Sequence, residues 1–171
     1  MEQSLLSAHL AAAPLLSTLS PDARASAIQR FVARPFTKGQ SLLRAGDQGR
    51  ELGLLLTGSA LIQARRDDRA FTVEVLEPGQ LFGELAFFDP ASARTADVIG
   101  SADGVAAMLS YGAYEAMLAE GDPAVEHIEK AVLELVGNRI QATSARMAEL
   151  LQANQRGDLF STIRRLFGLR G

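Results

Sequence analysis

The sequence predicts an α+β fold in which short helices precede an antiparallel β-sandwich or open barrel and a long helix follows it. Three observations carry this. Apolar residues recur at helical spacing over residues 4–35, glycine-bearing turn signals break residues 36–109 into short apolar runs, and helical periodicity returns after Asp122-Pro123. At 171 residues and 47% hydrophobic content, the chain has the size of one ordinary domain with appended helices.

Residues 1–35 read as an N-terminal helical segment. Leu5, Leu6 and Leu10 form one apolar run, and Ala27, Ile28, Phe31 and Val32 a second. Between them Ser20-Pro21-Asp22 reads as an N-cap followed by proline at the first helical position, where its missing N–H costs nothing. Two short helices are expected before residue 36.

Residues 36–122 read as the strand region. Turn signals stand at Lys38-Gly39, Ala45-Gly46-Asp47, Thr57-Gly58-Ser59 and Pro78-Gly79. The runs between them, such as Leu52 to Leu56, Ala60-Leu61-Ile62 and Val73-Glu74-Val75-Leu76, fit strands bounded by tight turns. Short strands at this spacing make a sandwich or barrel. The mixed charges of Arg65-Arg66-Asp67-Asp68-Arg69 read as a solvated hairpin tip rather than a basic patch.

Residues 123–155 read as one long helix, with Val125, Ile128, Val132, Leu135, Ile140, Met147, Leu150 and Leu151 following steps of three and four. A helix of about thirty residues is about 45 Å long. Gly137-Asn138 is its weak point, since glycine costs about 1 kcal/mol in a helix interior. Such a helix outreaches a compact sandwich, and pairing with its own copy in a homodimer is the simplest way to cover the rest of its stripe. The segment 156–171 reads as an amphipathic basic tail, with Leu159, Phe160, Ile163, Leu166 and Phe167 on one face and Arg164 and Arg165 beside them. It suits packing on its own domain, a partner's groove or an anionic membrane surface.

Composition excludes several classes of function. Without cysteine there is no disulfide, thiolate metal site or cysteine nucleophile. His9 and His127 lie in different segments without companions at ligand spacing, so no metal is expected. A net charge of −3 offers no global attraction to nucleic acid. No signal peptide or membrane span is recognisable, so the expected location is the cytoplasm. No Gly-x-Ser-x-Gly elbow or other catalytic constellation is present, so no enzyme activity is expected.

The segment that carries chemistry is Phe82-Gly83-Glu84-Leu85-Ala86, followed by Arg94-Thr95-Ala96. A cyclic nucleotide presents a singly charged phosphodiester, a ribose 2′-hydroxyl and a flat base. Arg94 suits the phosphate, because a guanidinium donates two parallel hydrogen bonds and keeps its charge; Thr95 adds a hydroxyl and a backbone donor. Glu84 suits the 2′-hydroxyl as a carboxylate acceptor. Gly83 permits close approach of backbone to sugar, and a short helical turn over Leu85-Ala86-Phe87 would aim N–H groups at the anion. An ordinary surface ion pair between Glu84 and Arg94 is the bland alternative. A partly buried arginine without an anion is costly, which argues against a domain that has lost its ligand.

This segment resembles the phosphate-binding cassette of the cyclic-nucleotide-binding domains found in the catabolite activator protein and in kinase regulatory subunits. The family pattern is Phe-Gly-Glu-Leu-Ala, a variable stretch, then Arg-Ser/Thr/Ala-Ala, and the ten positions from Glu84 to Arg94 match its spacing. Phe36, Gly39, Leu42, Gly46-Asp47 and Gly58 match its strand-and-turn spacing upstream, so the likeness covers residues 14 to 155. The resemblance implies a jelly-roll barrel with N-terminal helices, a short cassette helix and a long C-terminal helix. It places Ile62, Val73 and Leu76 where inward strand residues line base and ribose, though the same positions suit plain core. It sets Thr143-Ser144 beside a Thr-Ser pair that reads adenine in the activator protein, about three residues later than the family count. Gly53 departs from the pattern, since relatives commonly carry an aromatic residue there.

The resulting expectation is a cyclic nucleotide sensor, for cyclic AMP before cyclic GMP, that signals through its long helix to an effector protein. The alternative is an adaptor working through the tail, with nucleotide binding secondary or lost. The activator-protein relatives continue into a winged helix-turn-helix, and the 17 residues after Asn154 are too few for one, so direct DNA binding is not expected.

Overall fold

The computed structural model describes the backbone of residues 2–66 and 69–156. Three helices open the chain, α1 (Glu2–Ala12), α2 (Pro14–Ser17) and α3 (Pro21–Ile28). That is one more than the periodicity suggests, because Ala13-Pro14 breaks the first run: a proline cannot continue a helix from its predecessor but starts one readily. The cap on α3 forms as expected, with the Ser20 Oγ accepting the Ala23 N–H at 3.3 Å. Phe31 and Val32 lie beyond α3, and Val32 begins the first strand.

Six strands follow: β1 (Val32–Phe36), β2 (Ser41–Leu43), β3 (Glu51–Arg66), β4 (Arg69–Leu76), β5 (Leu81–Phe82) and β6 (Asp97–Ser110). All pair antiparallel in one sheet of order β1-β6-β3-β4, with β2 also on β6 and β5 also on β3. The sheet is open, with β1 and β4 as edges, and does not close into a barrel. Pro35 sits on edge strand β1, where its missing donor breaks no ladder.

The Thr57-Gly58-Ser59 signal is not a chain reversal. The strand runs through it, and Leu52 to Ile62 belong to the single strand β3, whose register against β6 shifts at Leu55/Thr57, Thr57/Ser59 and Ser59/Ala60. Gly58 adopts φ +78°, and a Cβ there would lie 2.4 Å from the Asp103 carbonyl oxygen. A glycine in the left-handed region serves a bulge as well as a turn, and here it lies among the register shifts of β3. The β3–β4 hairpin carries its last described pair at Arg66 and Arg69, around residues that lie outside the described ones.

Phe36, Leu55, Leu76, Phe82, Val98 and Met108 form the centre of the core. Each such side chain contributes about 1.5–3 kcal/mol on burial. The short helix α4 (Glu84–Phe88) follows β5, and α5 (Tyr111–Glu120) follows β6, capped by the Ser110 Oγ on the Ala113 N–H at 3.2 Å. α6 (Ala124–Arg156) is 33 residues and passes Gly137 unbroken. Asp122 caps its start, accepting the Ala124 N–H at 2.9 Å and the Ser26 hydroxyl at 3.3 Å. Residues 1–130 and 131–171 form two compact units, so α6 begins in the first and continues as the second. The tail expected over 156–171 lies, past Arg156, outside the described residues. Among those residues no helix is long and apolar enough to cross a membrane.

Candidate functional site

The site forms where β5 enters α4. Phe82 is fully buried, and its ring fills the space above Gly53, where a Cβ would lie 2.1 Å away. The departure at Gly53 is therefore a packing solution, with the aromatic ring supplied from the neighbouring strand. Gly83 then turns with φ +82° as the N-cap of α4, a conformation that L side chains rarely adopt. The turn places Glu84 in the first turn of α4, only 4% exposed.

Arg94 reaches the same turn and is 6% exposed. Its Nη1 donates to the Gly83 carbonyl and its Nη2 to the Glu51 carbonyl, both at 2.8 Å. Its backbone is tied to the turn at residues 44–47: the Arg94 N–H donates to the Asp47 carbonyl at 2.9 Å and the Gly46 N–H to the Arg94 carbonyl at 2.8 Å. Burial pulls the guanidinium below its ordinary pKa, while the carboxylates of Glu51, Glu84 and Asp47 act the other way. It stays charged at neutral pH. Two carbonyls and three nearby carboxylates offset part of the cost of burying Arg94 without an anion, and burial still outweighs them. Two of its five N–H donors are in use, and the others suit an added anion.

A recess of about 280 Å³ opens beside Arg94, lined among others by Ser41, Leu43, Arg44, Asp47 and Glu51. Its frame rests on residues that motif reading does not single out. The Asp97 carboxylate accepts the Ala45 N–H at 2.9 Å and the Arg65 Nε–H at 3.0 Å, fixing the 44–47 turn to β6. The Ala45 N–H holds the Asp97 carboxyl below the usual carboxylate range against the opposing effect of burial, with Arg65 assisting. Arg34 grips Glu51 through two hydrogen bonds of 3.1 and 2.6 Å. Arg50 donates to the Phe87 carbonyl from Nε at 3.1 Å and Nη2 at 2.9 Å while its guanidinium carbon lies 3.2 Å from the centroid of Tyr111. It thereby joins α4 to α5 next to the site. The one sequence signal for Asp97 is a charge opening an apolar strand; Arg50 has none.

The structure brings Gly83, Glu84 and Arg94 together. Ala86 is buried in α4, Leu85 is half-exposed and Thr95 is exposed beside Arg94. Ile62 is partly buried against the core, and Leu76 is wholly core, opposite Ala60. Val73 is 44% exposed; the pairs Ile62 with Glu74 and Gln63 with Thr72 leave it as the extra residue of a bulge in β4. Thr143 and Ser144 are exposed on α6 in the second unit, where the Thr143 hydroxyl donates to the Arg139 carbonyl at 2.8 Å.

A family model described as the cyclic nucleotide-binding domain matches residues 33–121, the strands, the cassette and α5. The chain belongs to this family. A cAMP-dependent protein kinase regulatory subunit of Colletotrichum orbiculare is 31% identical over 105 residues, covering 61% of this chain and 26% of that protein. A CRP-like cAMP-activated global transcriptional regulator of Mycobacterium tuberculosis is 24% identical over 143 residues, covering 83% of this chain and 62% of that protein. The chain thus spans only part of either relative. Among solved structures, a cyclic nucleotide-binding domain from Methylobacillus flagellatus superposes with a TM-score of 0.73 at 20% identity, covering 86% of this chain and 83% of that one. The family fold, antiparallel strands with flanking helices and a C-terminal helix, is the fold described above.

Proposed function

We propose that this cyclic nucleotide-binding domain senses a cyclic mononucleotide, cyclic AMP in preference to cyclic GMP, and transmits occupancy through α6 to an effector protein. The observation that carries the reading is the joint burial of Glu84 and Arg94 on one glycine turn, with Arg94 keeping donors for an anion. Arg94 and Thr95 take the cyclic phosphate, Glu84 takes the ribose 2′-hydroxyl, and Ile62 and Val73 contact the ribose and base. Both relatives, a cAMP-dependent kinase regulatory subunit and a cAMP-activated transcriptional regulator, support that base. Thr143 and Ser144 are the proposed adenine contacts.

Binding drives output only as far as the ligand favours one position of α6 over another. The apolar residues exposed along α6 suit a homodimer, which would give the effector a two-fold surface. Calorimetric titration with cyclic AMP, cyclic GMP and cyclic di-GMP tests the reading. Heat with cyclic AMP, weaker heat with cyclic GMP and none with the dinucleotide is the expected order; no heat with any of the three overturns it. Arg94→Ala is expected to cost about 2–5 kcal/mol of binding, the range for removing one partner of a buried charge pair. Unchanged affinity in that variant would put the phosphate elsewhere.

A further inference from the structure

Arg44 and Arg94 line the recess and three further arginines hold its frame; all but Arg44 are committed. Arg34 is paired with Glu51, Arg65 with Asp97, Arg50 holds the Phe87 carbonyl under the Tyr111 ring, and Arg94 holds the carbonyls of Gly83 and Glu51. Arg44 differs from all of them. It lines the recess, is exposed at its rim, and its guanidinium makes no hydrogen bond or ion pair with the described residues. Asp97 lies close enough for Arg44 to affect its charge, but both Asp97 oxygens are already occupied by Ala45 and Arg65.

The turn that carries Arg44 is not a loose one. Asp97 holds Ala45, and Gly46 and Asp47 are hydrogen-bonded to the Arg94 backbone, so the Arg44 main chain is fixed relative to Arg94. The remaining charges of the recess nearly cancel. The charge of Arg94 is opposed by the nearby carboxylates of Glu51, Glu84 and Asp47, and the Glu51 charge is itself shared with Arg34. An approaching anion therefore meets little net attraction from Arg94 and the carboxylates around it. An exposed cation without a partner among the described residues, on a rim held by hydrogen bonds, is the group whose field it feels first.

We propose that Arg44 is the capture residue of this site, a rim guanidinium that draws the singly charged phosphodiester of a cyclic nucleotide toward Arg94. This rests on the reading that the recess beside Arg94 opens onto the nucleotide site. Buried Arg94 governs how long the ligand stays, whereas exposed Arg44 governs how fast it arrives, the division expected between desolvated and rim charges. Because Arg44 acts as a point charge, lysine replaces it, although it cannot reproduce a forked contact.

The test is stopped-flow kinetics of the full chain with an 8-substituted fluorescent cyclic AMP analogue, at low and at high salt. For Arg44→Ala the association rate is expected to fall about threefold at low salt, and for Arg44→Glu about tenfold, with dissociation unchanged and both differences fading as salt screens the field. Arg44→Lys is expected to match the wild type. Equal association rates in all variants, a Lys variant as slow as the Ala variant, or an effect confined to dissociation would each overturn the proposal. Thermal melting checks folding, and an exposed side chain without a partner is expected to leave it unchanged. A wild-type chain that binds no cyclic nucleotide overturns the site reading and the capture role together; binding that ignores residue 44 overturns the capture role alone.

Discussion

Gly83 and Arg94 constrain each other. A Cβ at residue 83 would stand 2.6 Å from the Arg94 Nη1 and 3.0 Å from the Glu51 carbonyl oxygen, and the residue would be held at φ +82°. Gly83→Ala therefore meets backbone strain of about 1–3 kcal/mol and must also displace the guanidinium. Lower thermal stability together with weaker nucleotide binding is the expected result. A variant that melts lower but binds normally would show that Arg94 tolerates the shift. Asp97 gives a pH signature. Its native pKa is depressed, so the stability it contributes is fully present above the unfolded carboxyl pKa of about 3.9 and is lost as pH falls through the native value. Asp97→Asn keeps an acceptor for Ala45 but loses the charge facing Arg65. The stability gap between wild type and this variant, read from urea melts, is expected to be widest near neutral pH and to close on the acid side. A gap independent of pH would mean that the carboxylate charge contributes nothing.

Between elements, the joint that matters is the aromatic cluster where α4 meets α5. Phe87 lies edge-on to Phe88, Tyr111 and Tyr114 at centroid distances of 4.9 to 5.5 Å, and the Tyr114 hydroxyl donates to the Glu129 carboxylate on the first turns of α6 at 2.6 Å. Burial, with Glu129 adding to it, pushes the Tyr114 phenol up in pKa, so it remains a donor throughout the neutral range. Tyr114→Phe keeps the ring and deletes that bond. It is expected to cost about 1–2 kcal/mol in a urea melt and to change nucleotide affinity, because α4 carries Glu84. An unaltered affinity would uncouple the cassette from α6 along this route. Little of this joint is legible in the sequence. Arg50 acts on Phe87, 37 residues away, and on Tyr111, and neither spacing has a local period. The residues of α5 are apolar on several faces, which hides its helical period, and Gly58 looks like a turn because bulges and turns demand the same backbone. The cassette is legible for the opposite reason. Anion, sugar hydroxyl and close backbone approach each demand one residue type, and all three fall within a dozen positions.

For the molecule as a whole, the open question is what covers α6. Exposed apolar residues scattered singly need no explanation, but Leu133, Ile140 and Met147 recur at steps of seven and Leu151 follows four later. Val136, Thr143 and Leu150 fall at the intervening positions, three after each member of that row, and together the two rows spell an a/d seam over residues 133–150, with Leu151 flanking it. A seven-residue repeat drifts slowly around a straight helix, so it is useful chiefly to a partner that winds with it, and a second copy presents the same row. Burying these side chains at a two-fold axis contributes about 1.5–3 kcal/mol for each large one, enough for a dimer at micromolar concentration even after the cost of association. Sedimentation equilibrium of the full chain is expected to return the dimer mass. The double variant Ile140→Glu, Met147→Glu is expected to return the monomer, since it sets like charges at two layers of the seam on either side of Thr143. Because residues 33–121 alone match the family model, the variant is expected to keep its fold and a measurable affinity for nucleotide. A wild-type chain that is monomeric at tens of micromolar would leave the stripe to the effector protein instead.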